Sequence, residues 1–112
     1  MGSLSKQLET IWELASDAHT AIQRDFADID PLIGVSQNMR KQGIPADVMT
    51  IDCLRTRKRI IVILHDQQPD IVSYQFAGMD SDPEGDFESL AFEKVTKQTI
   101  YQWIAQYFKE PL

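Results

Sequence analysis

Arg59-Ile60-Ile61-Val62-Ile63-Leu64-His65 is the stretch on which the reading of this chain turns. Its interior is aliphatic and mostly β-branched, which favours a pleated strand over a helix. Successive side chains of a strand point to opposite faces, so Ile60 to Leu64 is apolar on both and belongs in the middle of a sheet. The flanking segments Asp47–Leu54 and Asp70–Ala77 have a period of two and read as its neighbours. A weaker fourth strand is expected over 89–95.

Burial sets the register. With a turn at Thr56-Arg57 and Arg55 facing Lys58, Met49, Ile51 and Cys53 share a wholly apolar face with Leu64, Val62 and Ile60. A slip of one residue would instead place Ile60, Val62 and Leu64 beside Thr50 and Asp52. The loop must therefore have an even length. Thr-Arg lacks the Gly or Asn that tight primed turns prefer, which makes a four-residue loop the alternative. In the next hairpin Val72, Tyr74 and Phe76 join the same apolar face. The opposite face carries Val48, Asp52, Ile61, Ile63, His65 and Ile71. That face is too apolar to be simply wet, and such patches mark interaction sites. The first of these strands is the expected open edge.

Helical periodicity flanks the strands. Leu4, Leu8, Ile11, Ala15, Ala18 and Ile22, widened by Trp12, form one stripe of a helix from Ser5 to Phe26. Asp30-Pro31 then has the form of a helix start, with Leu32, Val35 and Met39 on one face, Arg40 and Lys41 in the last turn and Gly43 closing it. Thr96 caps a final helix, Lys97–Lys109, with Ile100, Trp103 or Ile104, and Tyr107 or Phe108 turned inward. The expected fold is one α+β domain over 1–112. It is a two-layer sandwich in which an antiparallel meander of three to four strands is covered by N-terminal and C-terminal helices, in the order α-α-β-β-β-(β)-α.

Bulk composition narrows the function. The 112 residues are 43% hydrophobic and carry a net charge of −6, which fits one globular domain. No apolar run approaches the ~20 residues that a membrane span requires. The start lacks the pattern of a secretory leader, and a single Cys cannot form an internal disulfide, so a reducing, cytoplasmic setting is expected. An acidic chain repels phosphate backbones and anionic lipid, which points away from nucleic acid and membranes and towards a protein partner or a second copy of the chain.

Specific chemistry is sparse. Cys53 and His65 are the obvious nucleophile and base, with Asp52 or Asp66 to orient the imidazole. The register separates them by five residues, roughly 16 Å at ~3.3 Å per residue, and on opposite faces, so no catalytic residue is assigned. Asp80, Asp82, Glu84 and Gly85 match early positions of a calcium loop, with Asp86 beside them, but Ala91 stands where the bidentate Glu belongs. They are candidates for weak cation binding only, and no cofactor is expected. Arg55, Arg57, Lys58 and Arg59 make the one basic cluster. Because alternate turns of a meander share an end of the sheet, it should lie near the acidic 80–88 loop and neutralise it. With Asp52, Ile61, Ile63 and His65, these basic residues are the interaction candidates. Tyr74, Phe76, Tyr101, Trp103, Tyr107 and Phe108 read as core packing rather than as a stacking platform for bases. The expected function is contact with protein, as a homodimer or an adaptor. The alternative is a small-molecule or enzymatic pocket between helices and sheet near His65, Asp66 and Tyr74.

Overall fold

A computed structural model describes residues 6–26, 29–80 and 85–109 of the chain. It has an α+β fold with a five-stranded antiparallel sheet and three α-helices. The elements in chain order are α1 (Lys6–Asp25), β1 (Leu32–Ser36), α2 (Asn38–Lys41), β2 (Ala46–Cys53), β3 (Lys58–His65), β4 (Ile71–Gly78), β5 (Glu88–Ala91), a single 3-10 turn (Phe92–Lys94) and α3 (Lys97–Tyr107). Strand order equals chain order, β1-β2-β3-β4-β5, so the sheet is a simple meander.

The apolar stripe of α1 is buried as its spacing dictates: Leu8, Ile11, Ala15, Ala18 and Ile22. Leu4 lies outside the described residues. These side chains join Met49, Ile51 and Cys53 of β2, Ile60, Val62 and Leu64 of β3, Val72 of β4, and Ile100 and Ile104 of α3 in one core. Thr96 caps α3 as expected. Its hydroxyl accepts from the Thr99 N–H while the Thr99 hydroxyl accepts from the Thr96 N–H, a reciprocal capping box.

The 31–43 segment corrects the sequence reading. Leu32–Ser36 is a strand, paired antiparallel with β2 from Leu32↔Asp52 to Ser36↔Val48, and only the single turn Asn38–Lys41 is helical. The helix order α-α-β therefore becomes α-β-α-β. Ile33 and Val35 alternate onto the core side, where they pack against the buried cluster, while Leu32 stays 48% exposed. A helix spanning Gly34 would have faced two costs: β-branched neighbours and a glycine in its interior. As a strand, the same residues cover the flank of β2. Hence β2 is not the sheet edge; β1 is.

The first hairpin uses the four-residue loop, Leu54 to Arg57. Cys53 pairs with Lys58, Ile51 with Ile60 and Met49 with Val62. The register has moved by two residues from the two-residue-turn reading. An even shift leaves every side chain on its assigned face. Arg57 closes the loop at φ 59°, in the left-handed region where a β-carbon is unfavourable. Replacing it with glycine relieves that strain and should leave the melting temperature unchanged or higher. Arg57→Val, β-branched at the same angle, should lower it; thermal unfolding of the pair reads the difference. In the second hairpin Ile60 faces Phe76 and Val62 faces Tyr74, as the face assignment requires. The fourth expected strand is shorter than 89–95: β5 ends at Ala91 and the chain turns through the 3-10 segment into α3.

Candidate functional site

The interaction candidates separate into three places. Lys58 lies on the helix-covered side, where its ammonium donates to the Tyr107 carbonyl at 3.0 Å and sits 5.1 Å from the centre of the Tyr107 ring. Arg57 pairs with Asp80 at 2.6 Å, and the Met79 N–H donates to the Arg57 carbonyl at 2.9 Å. The basic turn and the start of the acidic loop are thus neighbours, as the meander implied. This contact holds the Asp80 carboxyl below its ordinary range, through its hydrogen bond with Arg57 and then Coulomb attraction. Arg59 is on the opposite sheet face in a two-pronged contact with Asp52, Nε to Oδ1 at 2.7 Å and Nη2 to Oδ2 at 3.0 Å. Arg55 is exposed in the loop. The basic run is therefore not one patch.

The thiol and the imidazole are farther apart than the sequence reading placed them. Cys53 pairs with Lys58 and His65 with Ala46, the two ends of β3, roughly 23 Å apart at ~3.3 Å per residue. Cys53 is buried in the core and His65 lies on the other face. No base reaches across that distance.

His65 and Asp66 do share a cleft at the β3–β4 turn, about 190 Å³, with Gln7, Leu64, Gln68, Pro69 and Ile71. Tyr74 does not line it. Its ring stacks on Trp103 at 4.5 Å between centroids, on the helix side. The cleft is smaller than the ~300 Å³ at which small-molecule pockets begin. A second hollow of about 420 Å³ is lined by Asp70, Ala91, Phe92 and Glu93 and also excludes Tyr74. Among the described residues no group of three or more His, Cys, Asp or Glu could hold a metal ion. Of the cation candidates, Asp80 is engaged by Arg57, Asp86 is exposed, and Asp82 and Glu84 lie outside the described residues.

The rings form a network rather than a uniform core. Phe108 is buried, whereas Phe76 is 40% exposed and stacks on Tyr107 at 4.9 Å. The Tyr107 hydroxyl donates to the Ala77 carbonyl at 2.7 Å and ties α3 to β4. Tyr101 stands apart, beside Phe26, and donates to Asp25 at 2.6 Å.

Sequence reasoning missed the best-formed polar cluster. Asp47, 2% exposed, accepts from Arg40 Nε at 2.9 Å and from Nη2 at 3.0 Å. The other edge of the same guanidinium grips Asp66, Nη1 to Oδ2 at 2.8 Å and Nη2 to Oδ1 at 2.9 Å. The hydrogen bonds to Asp66 and then to Asp47 raise the Arg40 pKa, and those from Arg40 lower that of Asp66. One planar cation thus joins α2, β2 and the β3–β4 turn. Every donor but one Nη1 hydrogen is used, so the cluster is a clasp and leaves little for a ligand.

The face opposite α1 and α3 carries the residues assigned to it. Ile63 pairs with Val48 on one side and Ser73 on the other; Thr50 and Gln75 flank Ile61 in the same way. The Gln75 amide donates to the Gly85 carbonyl at 3.4 Å, and Ile61, which pairs with Gln75, is buried. Elsewhere on this face Val48 and Ile63 are half-buried, and Leu32 and Ile71 are exposed. The buried residues of α1 and α3 join the core on the other side of the sheet. No helix is long and apolar enough to cross a membrane. No family model, curated protein or solved structure matches the chain.

Proposed function

We propose that this chain is a small acidic α+β module that works by contact with protein, through its helix-free sheet face and the β1 edge beside it. The reading takes the fold as two layers, helices on one side only, which leaves the second face as the working surface. One observation carries it: Leu32, Val48, Ile63 and Ile71 present aliphatic surface on four strands, opposite the face that α1 and α3 cover. Aliphatic side chains gain about 25 cal/mol for each Å² removed from water, so a partner seated there is favoured by burial alone. The Asp52–Arg59 pair at one end of the face supplies polar register without repelling a neutral partner.

A photo-crosslinking residue placed at Ile63, compared with one at Glu9 on the exposed side of α1, tests this in the native cell. The expected result is one discrete protein adduct at position 63, identified by peptide mass, and none at position 9. Absence of any protein adduct at position 63, with the fold intact by circular dichroism, would overturn the reading.

A further inference from the structure

We propose that the β1 edge binds a second copy of this chain, edge to edge about a twofold axis at Gly34. The proposal rests on the contact reading above and gives the β1 edge one occupant, while Ile63, two strands in on the open face, lies outside this pairing. β1 ends the sheet, and a terminal strand offers a row of main-chain N–H and C=O groups to another strand. Natural edges are commonly blunted by charge or by an internal proline. Leu32-Ile33-Gly34-Val35-Ser36 carries neither.

The five residues are complementary to themselves when reversed. With Gly34 facing the second copy's Gly34, Ile33 meets the second copy's Val35, and Val35 meets its Ile33. Both pairs lie on the core side, so the apolar layers of the two copies become continuous. On the other side Leu32 meets Ser36, and the glycine pair at the axis lets the backbones approach without side-chain conflict. A twofold contact requires this self-complementarity, because each surface must fit its own copy.

Charge also favours the antiparallel arrangement. It sets the start of β1, preceded by Asp30 with its side chain 72% exposed, beside the end of the second copy's β1, where α2 carries the exposed Lys41. The acidic end of each strand thus approaches the basic end of the other. A parallel pairing would bring like charges together.

Position 34 provides the test. A β-carbon there would meet only the Thr50 hydroxyl, at 3.5 Å, an ordinary contact, so substitution leaves the single chain unstrained. Sedimentation equilibrium over a concentration series should show the wild-type protein reaching twice 12.8 kDa. Gly34→Lys places two ammonium groups across the axis and should hold the protein at the monomer mass, with an unchanged circular dichroism spectrum. Gly34→Cys brings two thiols to a Cα separation of ~4.5–5.5 Å, within disulfide range, and should yield a covalent dimer on oxidation. Glu9→Cys should yield none, and the buried Cys53 serves as the internal control. Wild-type protein that stays monomeric throughout, or a dimer that Gly34→Lys leaves intact, overturns the proposal. A monomer whose position 63 still crosslinks to a different protein rejects the homodimer and leaves the contact reading standing.

Discussion

Arg40→Ala should be among the most damaging single substitutions in this protein, costing about 3–4 kcal/mol. The guanidinium is partly exposed, but its partner Asp47 is not. Removing the arginine strands a carboxylate inside the protein, and such loss of one member of a buried pair typically costs 3–5 kcal/mol. The lower part of that range applies because the arginine itself is partly exposed and its charge partly screened. The reciprocal changes should be milder. Asp47→Ala leaves an arginine that still holds Asp66 and can reach water, and should cost about 1–2 kcal/mol. Asp66→Ala removes a contact between two solvent-accessible groups, worth roughly 0–1 kcal/mol. Urea unfolding of the three variants should rank them Arg40, Asp47, Asp66. Equal losses at all three would show that the clasp is not organised around the buried carboxylate. Acid should weaken the same cluster. The Asp66 carboxyl is depressed below 3.8, so its stabilising share is complete above that pH and is lost as pH falls through the lower folded value.

Phe108→Ala should cost a similar amount, about 3–5 kcal/mol, for a different reason. Phe108 is 2% exposed just past the end of α3, and its N–H donates to the Ile104 carbonyl at 2.9 Å. Its ring fills the core that Ile100 and Ile104 begin. Truncation forfeits the burial and leaves a cavity that the surrounding sheet cannot collapse into. A melting temperature lower by about 12 °C or more is expected, at ~4 °C for each kcal/mol in a domain of this size. The neighbouring residue supplies the contrast. Tyr107→Phe retains the stack on Phe76 and loses only the hydroxyl bond to Ala77, about 0.5–1.5 kcal/mol. Matching losses at 107 and 108 would place the core boundary elsewhere.

The spacing of the final helix left Tyr107 and Phe108 as alternatives for the inward position because both lie near its apolar stripe. Packing chose between them: Phe108 closes the core and Tyr107 lies flat across β4. The same limit explains the β1 error. Leu32, Val35 and Met39 fit one face of a helix, while Ile33 and Val35 fit one face of a strand, and a segment this short satisfies both periods. The decision came from β2, whose flank needed a partner for its backbone groups. The Arg40 clasp was hidden for another reason. Arg40, Asp47 and Asp66 are 7 and 26 residues apart along the chain, and only the meander brings them to one corner.

Local pattern sufficed for the class of the fold, the long α1 stripe, the three central strands and the two faces of the sheet. Side-chain alternation is a property of the backbone itself, so it survived a register error of two residues. The edge strand, the length of the first loop, the partition of the basic run and the identity of the buried ion pair depended on tertiary contact. Each is settled by which backbone and charged groups can find a partner once the water is gone, and those partners come from distant parts of the chain.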